Sequence, residues 1–358
     1  MKANFPIEQF RKLETPFYYY DTNLLRETLN KIKEEAGKYN KFCVHYAVKA
    51  NANPKILGII RESGLGADCV SGGEIKAAIK AGFPASKIVY AGVGKTDKEI
   101  NLGLDYDIFC FNVESIPELE VINELAAAKN KIARVAFRIN PDVGAHTHAN
   151  ITTGLAENKF GISIQDMDRV IDLALEMKNV KFVGLHFHIG SQILDMGDFV
   201  ALCNRVNELQ EKLFARQIIV EHINVGGGLG IDYAHPNRQP IPDFAEYFAT
   251  YHKHLRLRPQ QTLHFELGRW YNASSHYIRG NLTFEAPFIL LYPVTRLLSF
   301  VQKERIYAGV LFMPHLNPYL EFGYGFATHL FDVGVFLGNE KGKFTSVGCK
   351  FTFELFNK

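Results

Sequence analysis

Phe42-Cys43-Val44-His45-Tyr46-Ala47-Val48-Lys49-Ala50-Asn51 is a near-continuous apolar run that stops at a lysine, an alanine and an asparagine. A run this short, with aromatic and β-branched residues on both alternating faces, predicts a strand buried on both sides. The same pattern recurs at 66–70, 88–91, 107–111, 134–139, 182–189, 222–225 and 262–267. Helical spacing fills most of the intervals, at 54–62, 73–81, 97–104, 117–128, 164–177, 199–214 and 244–254. Eight strands that each return through a helix require a parallel sheet with a covered outer face, and roughly 230 residues of such alternation fit a (β/α)8 TIM-like barrel. A doubly wound open sheet shares the alternation and is the other α/β solution.

A barrel makes a further demand, because its active-site residues gather at the carboxyl ends of the strands. Here those ends read Lys49-Ala50-Asn51, Ser71-Gly72-Gly73, Gly92, Asn112, Asn140-Pro141-Asp142, His188-Ile189-Gly190-Ser191, Gly226-Gly227-Gly228 and Glu266-Leu267-Gly268-Arg269. Polar residues and glycines therefore cluster where chemistry would sit. The connection 142–159, rich in Gly, Thr, Asn and His, suits a loop over the barrel mouth.

Four features of those ends suggest chemistry, and each has a plainer explanation. Lys49, ending an apolar strand, would lose hydration of its charged form and become available for Schiff-base formation; it could equally cap the strand and reach water. Asn224-Val225-Gly226-Gly227-Gly228-Leu229-Gly230 offers converging backbone N–H groups to a phosphate, or is a tight turn; it is neither a P-loop nor the dinucleotide fingerprint. His186-Phe187-His188 places two imidazoles on one face of a strand, suited to stacking on a flat ligand. Zinc lacks an obvious third ligand there, so no metal is expected, and a packed core histidine is the plain alternative. Glu266 could face a pyridinium nitrogen and Arg269 a substrate carboxylate, or the two could simply pair with each other. An amine, a phosphate-holding glycine loop, a stacking ring and an acid for a ring nitrogen together describe one cofactor, pyridoxal 5′-phosphate.

Composition narrows the partners. Forty Lys+Arg against thirty-eight Asp+Glu leave a formal charge of +2 in 358 residues, with no block of one sign to attract nucleic acid or an anionic membrane. No run approaches the ~18 apolar residues of a membrane span, and the first ten residues have no apolar signal core. Five widely spaced cysteines without a CxxC pair fit reduced thiols. A cytoplasmic protein acting on a small molecule is expected.

Tyr46-Ala47-Val48-Lys49-Ala50-Asn51, Val70-Ser71-Gly72-Gly73-Glu74, Arg138-Ile139-Asn140-Pro141, Lys159-Phe160-Gly161, His186-Phe187-His188-Ile189-Gly190-Ser191-Gln192, the glycine loop and Glu266-Leu267-Gly268-Arg269 stand in an order that resembles the diaminopimelate decarboxylases. That family belongs to the barrel-fold, pyridoxal-phosphate-dependent decarboxylases, and the resemblance runs from about residue 15 to residue 269; the carboxynorspermidine decarboxylases are the nearest competing family. It implies that Lys49 and His188 are catalytic, Lys49 carrying the cofactor and His188 stacking on its ring. It implies that Glu266 faces the ring nitrogen and that Ser191, Gly226, Gly227, Gly228, Gly268 and Arg269 hold the phosphate end, with Arg269 also binding substrate. The implied reaction removes carbon dioxide from meso-diaminopimelate to give L-lysine, in a homodimer. Other basic amino-acid substrates, or cofactor binding without turnover, are the alternatives.

Two departures accompany the resemblance. Leu267 stands where the family usually has proline, and after Trp270 neither the Cys-Glu-Ser nor the Gly-Ala-Tyr segment of the family is present; Cys349 lies in Gly348-Cys349-Lys350. Three segments are therefore expected: a lead-in over 1–40 with a strand at 18–20 and a helix over 22–39, the cofactor-binding barrel over 41–269, and a β-rich tail over 270–358. Strand-like pieces at 288–292, 307–312 and 350–355 predict a small, mostly-β domain formed by the lead-in and the tail. The abrupt loss of resemblance suggests a frameshifted or rearranged tail, with a divergent β-domain as the alternative.

Overall fold

The computed structural model describes residues 7–13, 19–143, 160–231, 241–268, 278–286, 301–312, 319–328, 331–340 and 343–353. Eight parallel strands close into a barrel in chain order: β1 (Phe42–Ala47), β2 (Gly66–Cys69), β3 (Ile88–Tyr90), β4 (Cys110–Val113), β5 (Ala133–Arg138), β6 (Val180–His186), β7 (His222–Asn224) and β8 (Thr262–Leu267). The open-sheet alternative is excluded by the β1–β8 pairing, which sets His45 opposite Glu266 and Tyr46 opposite Leu267. A single-turn helix α1 (Ile7–Phe10) and a longer helix α2 (Thr22–Ala36) precede the barrel. Its crossovers run through α3 (Pro54–Glu62), α4 (Gly72–Lys80), α5 (Asp97–Tyr106), α6 (Ile116–Ala128), α7 (Ile164–Glu176), α8 (Met196–Ala215) and α9 (Phe244–His254).

Local chemistry explains the helix starts. Asp21, Asn53, Ser71, Ser115, Ser163, Asp195 and Asp243 each accept a backbone N–H of the first turn they precede, and Thr96 with Glu99 forms a reciprocal capping box on α5. Helix and barrel then share an apolar layer. Phe265 on β8 packs at 5.0–5.6 Å between ring centroids against Phe42, Tyr247, Phe248 and Tyr251, so one strand residue anchors α9 and β1 together.

The strands alternate strictly enough to sort the barrel into columns. On β8, Phe265 faces the helices while Thr262, His264 and Glu266 share the opposite face and rise from base to mouth. A second apolar cluster, Val89, Cys110, Ala136 and Val183, lies apart from the main core.

Several expected boundaries move. The strand expected at 107–111 is Cys110–Val113, because Asp107 caps α5 in the left-handed region at φ +53°. The expected strand at 18–20 is not formed at Tyr19 and Tyr20, and Tyr18 lies outside the described residues; Gly37 ends α2 three residues early. The chain divides into two compact units, Met1–Ala273 and Ser274–Lys358, so the lead-in belongs with the barrel and not with the tail, as α2 packing on α9 and β1 requires.

The second unit is a five-stranded antiparallel meander: β9 (Ile278–Ala286), β10 (Val301–Phe312), β11 (Tyr319–Thr328), β12 (Phe331–Glu340) and β13 (Lys343–Phe353), each pairing with the next. The expected pieces at 307–312 and 350–355 fall largely on β10 and β13; 288–292 lies outside the described residues. Among the described residues no helix is long and apolar enough to cross a membrane.

Candidate active site

The mouth of the barrel encloses a cavity of about 240 Å3, bordered by Lys49, His188, Ser191, Gly227, Gly228, Glu266 and Gly268, all singled out from the sequence. Asp68, which the sequence reading passed over, borders it as well. Arg269, and the connection from 144 to 159, lie outside the described residues. That volume is at the small end for ligand sites and suits one ring-sized molecule.

Lys49 does not end β1. The strand stops at Ala47 and a single 3-10 turn, Val48–Ala50, swings the lysine over the mouth, where it is exposed. The expected apolar surroundings are thus corrected: Lys49 looks into an acidic rim of Asp68, Glu74 and Glu266, whose groups it influences electrostatically.

His188 is likewise beyond its strand, since β6 ends at His186, and the two histidines do not form one strand pair. The Gly227 N–H donates to His188 Nδ1 at 3.3 Å, which ties the imidazole to the glycine loop. Burial, reinforced by the Arg138 cation and opposed by Glu266, pushes His188 down to about 3. A neutral ring in that position offers its flat face to a ligand without adding a cation.

The glycine loop follows β7. Gly226 has φ +70°, and a Cβ there would stand 2.3 Å from the Phe187 carbonyl oxygen; at Gly227 it would meet the Glu266 carbonyl oxygen at 2.3 Å. No side chain fits, so the loop crosses the mouth as bare backbone, as an anion cradle requires.

Glu266 is buried, and burial works to raise its carboxyl. The facing His186 and the nearby Lys49 cation outweigh that and hold it well below the ordinary carboxylate range. Asp68 goes the other way: burial and the nearby Glu266 anion raise it well above its ordinary value, and its Oδ1 is buried without a hydrogen bond among the described residues. The two environments thus push the acids apart, Glu266 toward its ionised form and Asp68 toward its protonated one. Asp68 gave no signal in the sequence because Gly66-Ala67-Asp68-Cys69 reads as an ordinary strand; only the closed barrel turns it inward.

Beneath this layer Glu114 Oε1 accepts the Gly92 N–H at 3.1 Å and Arg138 at 2.9 Å, while buried Lys95 pairs with Glu118 at 2.6 Å and donates to the Gly92 and Asn112 carbonyls. These bonds stitch the ends of β3, β4 and β5 together. No group of three or more His, Cys, Asp or Glu among the described residues could hold a metal ion.

The family description "pyridoxal-dependent decarboxylase, pyridoxal binding domain" matches residues 24–273. A diaminopimelate decarboxylase of Bacteroides thetaiotaomicron is 81% identical over 269 residues, covering 75% of this chain and 70% of that protein. One from Aquifex aeolicus is 42% identical over 228 residues, covering 64% of this chain and 54% of the relative. The crystal structure of a diaminopimelate decarboxylase from Helicobacter pylori complexed with L-lysine superposes with a TM-score of 0.69 at 35% identity, over 78% of this chain and 70% of that one. The chain therefore spans between about half and seven tenths of these relatives.

Proposed function

The chain belongs to the pyridoxal-dependent decarboxylases and, within them, to the diaminopimelate decarboxylases; from that premise we propose that it decarboxylates meso-2,6-diaminopimelate to L-lysine and carbon dioxide. The observation that supports this most is the meeting, in one small cavity, of an exposed amine, a neutral imidazole, a side-chain-free glycine loop and an ionised buried carboxylate. Pyridoxal phosphate fits that donor set: the glycine loop suits its phosphate, and Glu266 is an anion in wait of a cationic N–H.

When bound, the cofactor supplies an electron sink for the pair released as carbon dioxide leaves. The protein does the rest. Lys49 presents the primary amine for attachment and later exchange with the substrate amine. Gly226, Gly227, Gly228, Ser191 and Gly268 hold the phosphate end, with Arg269 assigned to the same end and to a substrate carboxylate. His188 would lay its uncharged ring against that of the cofactor. Glu266 would keep the ring nitrogen protonated, and Asp68, whose surroundings favour its protonated form, would lessen the negative charge beside Glu266.

The test is a decarboxylation assay on meso-diaminopimelate with ornithine, arginine and carboxynorspermidine as comparisons. Lysine and carbon dioxide from the first alone are expected; preference for another substrate overturns the assignment. A second reading, cofactor binding without turnover, is favoured by the absence of the Cys-Glu-Ser and Gly-Ala-Tyr segments after Trp270. Protein that takes up pyridoxal phosphate but releases neither product supports it. On the same reading a cytoplasmic homodimer is expected, checked by light scattering of the purified chain, and sequencing of the gene around codon 270 decides whether the tail arises from a shifted frame.

A further inference from the structure

Both oxygens of a lone buried carboxylate are ordinarily equivalent, yet here they are not. Asn224 Nδ2 donates to Glu266 Oε1 at 3.0 Å, and His186 Nε2 stands 3.2 Å from the same oxygen. No donor among the described residues reaches Oε2, although Glu266 borders the mouth cavity. His186 and Asn224 are both buried, at 2% and 5% exposure, and are register partners on β6 and β7.

Asn224 is bound at its other end as well. Its Oδ1 accepts the Gly226 N–H at 2.9 Å, and the Gly226 carbonyl in turn accepts the Glu266 N–H at 2.8 Å. Acid and glycine loop are therefore one hydrogen-bonded unit, closed through a single amide side chain. Neither ring nitrogen of His186 has an aligned hydrogen bond among the described residues, and its ion-pair contact there is with Glu266. A buried imidazole left without partners costs stability, and its retention beside this oxygen calls for a reason.

We propose that His186 and Asn224 are positioning residues that occupy Glu266 Oε1 together, leaving Oε2 as the one oxygen presented to the ring N–H of pyridoxal phosphate. The proposal rests on the reading of the mouth as the cofactor site and assigns two residues that the sequence motif leaves without this role. Fixing one oxygen fixes the carboxylate plane, so the partner of the ring nitrogen is set before the cofactor arrives. Through Gly226 the same amide fixes the distance between the acid and the phosphate loop.

The experiment uses the full chain loaded with pyridoxal phosphate labelled with 15N in the ring. In the wild type the ring nitrogen is expected to stay protonated over the whole pH range in which the protein remains folded. In His186→Leu and Asn224→Ala the 15N signal should titrate toward neutral pyridine within that range, and the cofactor should bind about tenfold more weakly, as the loss of one polar contact to the carboxylate implies. His186→Gln, which keeps a donor at similar reach, should restore most of both; a purely structural role would not give that rescue. If His186→Leu does not fold, His186→Phe keeps a flat buried ring without a donor and decides the matter. Unchanged affinity and an unchanged 15N signal in both variants overturn the proposal while the cofactor site stands. Failure of the wild type itself to take up the cofactor overturns the site, and this proposal with it.

Discussion

Histidines line both ends of this barrel, and the two ends use them in opposite ways. At the mouth, His188 borders a cavity of about 240 Å3 together with the ionised Glu266, and buried His186 stands 3.2 Å from that acid's Oε1. At the base, a cavity of about 650 Å3 is bordered by His45, His222 and His264 with Thr262. There the imidazoles bond to one another: His45 Nε2 lies 2.8 Å from His264 Nδ1, Thr262 Oγ1 joins His264 Nε2 and His222 Nδ1 at 2.8 Å each, and His45 Nδ1 reaches the Lys87 carbonyl at 3.3 Å. Phe109 stacks on His45 and His264 at 6.3 and 5.2 Å. The larger cavity is the one whose polar groups already satisfy each other; the smaller one has an acid oxygen and a carboxyl group with nothing to bond. Size does not mark the site, and unmet bonding capacity does.

The sharpest way to break the comparison is Lys49→Ala. Turnover of meso-diaminopimelate should fall by roughly 10^3-fold or more, and visible absorbance of the loaded protein should vanish. Survival of that absorbance would mean that the mouth does not hold the cofactor through Lys49. Glu266→Gln should be next, lowering kcat by about 10^2-fold while the absorbance persists, because an amide no longer holds the ring nitrogen charged. A parallel substitution at the base, His264→Gln, should leave both readouts in place. If it abolishes them instead, the two ends are not independent.

The alternation of apolar strand and helix made the barrel legible, since a parallel strand buried on both faces has few sequence alternatives; β8 and α9 fall where the spacing puts them. Lys49, the glycine loop and Glu266 were legible because strand ends in this fold converge. Asp68 and Asn224 were not, because a polar residue within a short strand looks the same whether it faces a neighbour or a cavity. His186 was visible only as half of a pair with His188, and the premature end of β6 separates them. The base cluster was invisible altogether: His45, His222 and His264 lie on β1, β7 and β8, far apart in sequence, and only closure of the sheet stacks them.

Acid should distinguish the ends by stability. An unfolded histidine takes up its proton near pH 6.5. Burial, opposed by Glu266 and modulated by the nearby Lys87 and His222, pushes His45 down to about 4, and His264 and His222 are lowered by burial too. Stability from this group is therefore fully present above pH 6.5 and is lost as the pH falls toward 4, where the unfolded chain binds a proton that the folded one refuses. For His45 alone the loss is about 3 kcal/mol. Urea midpoints at constant ionic strength should fall across that window, and His45→Gln should flatten the slope. His188 at the mouth contributes with the same sign, so an unchanged slope in His45→Gln would move the acid sensitivity from the base to the mouth.

The smallest expected effect tests whether base and mouth communicate along β8. Thr262 and Glu266 share one face of that strand, two alternations apart, with His264 between them. Thr262→Val keeps the shape but removes the hydroxyl that joins His264 to His222, leaving two imidazole nitrogens short of a partner. The cost should be about 1 kcal/mol, read as a lower urea midpoint at neutral pH. Because Glu266 takes its hydrogen bond from Asn224 and its close contact from His186, and neither from His264, cofactor affinity and the pH profile of kcat should not move. A shift in either would show that the hydrogen-bonded chain at the base reaches up the strand to set the acid's orientation, and that the two ends form one polar column instead of two separate arrangements.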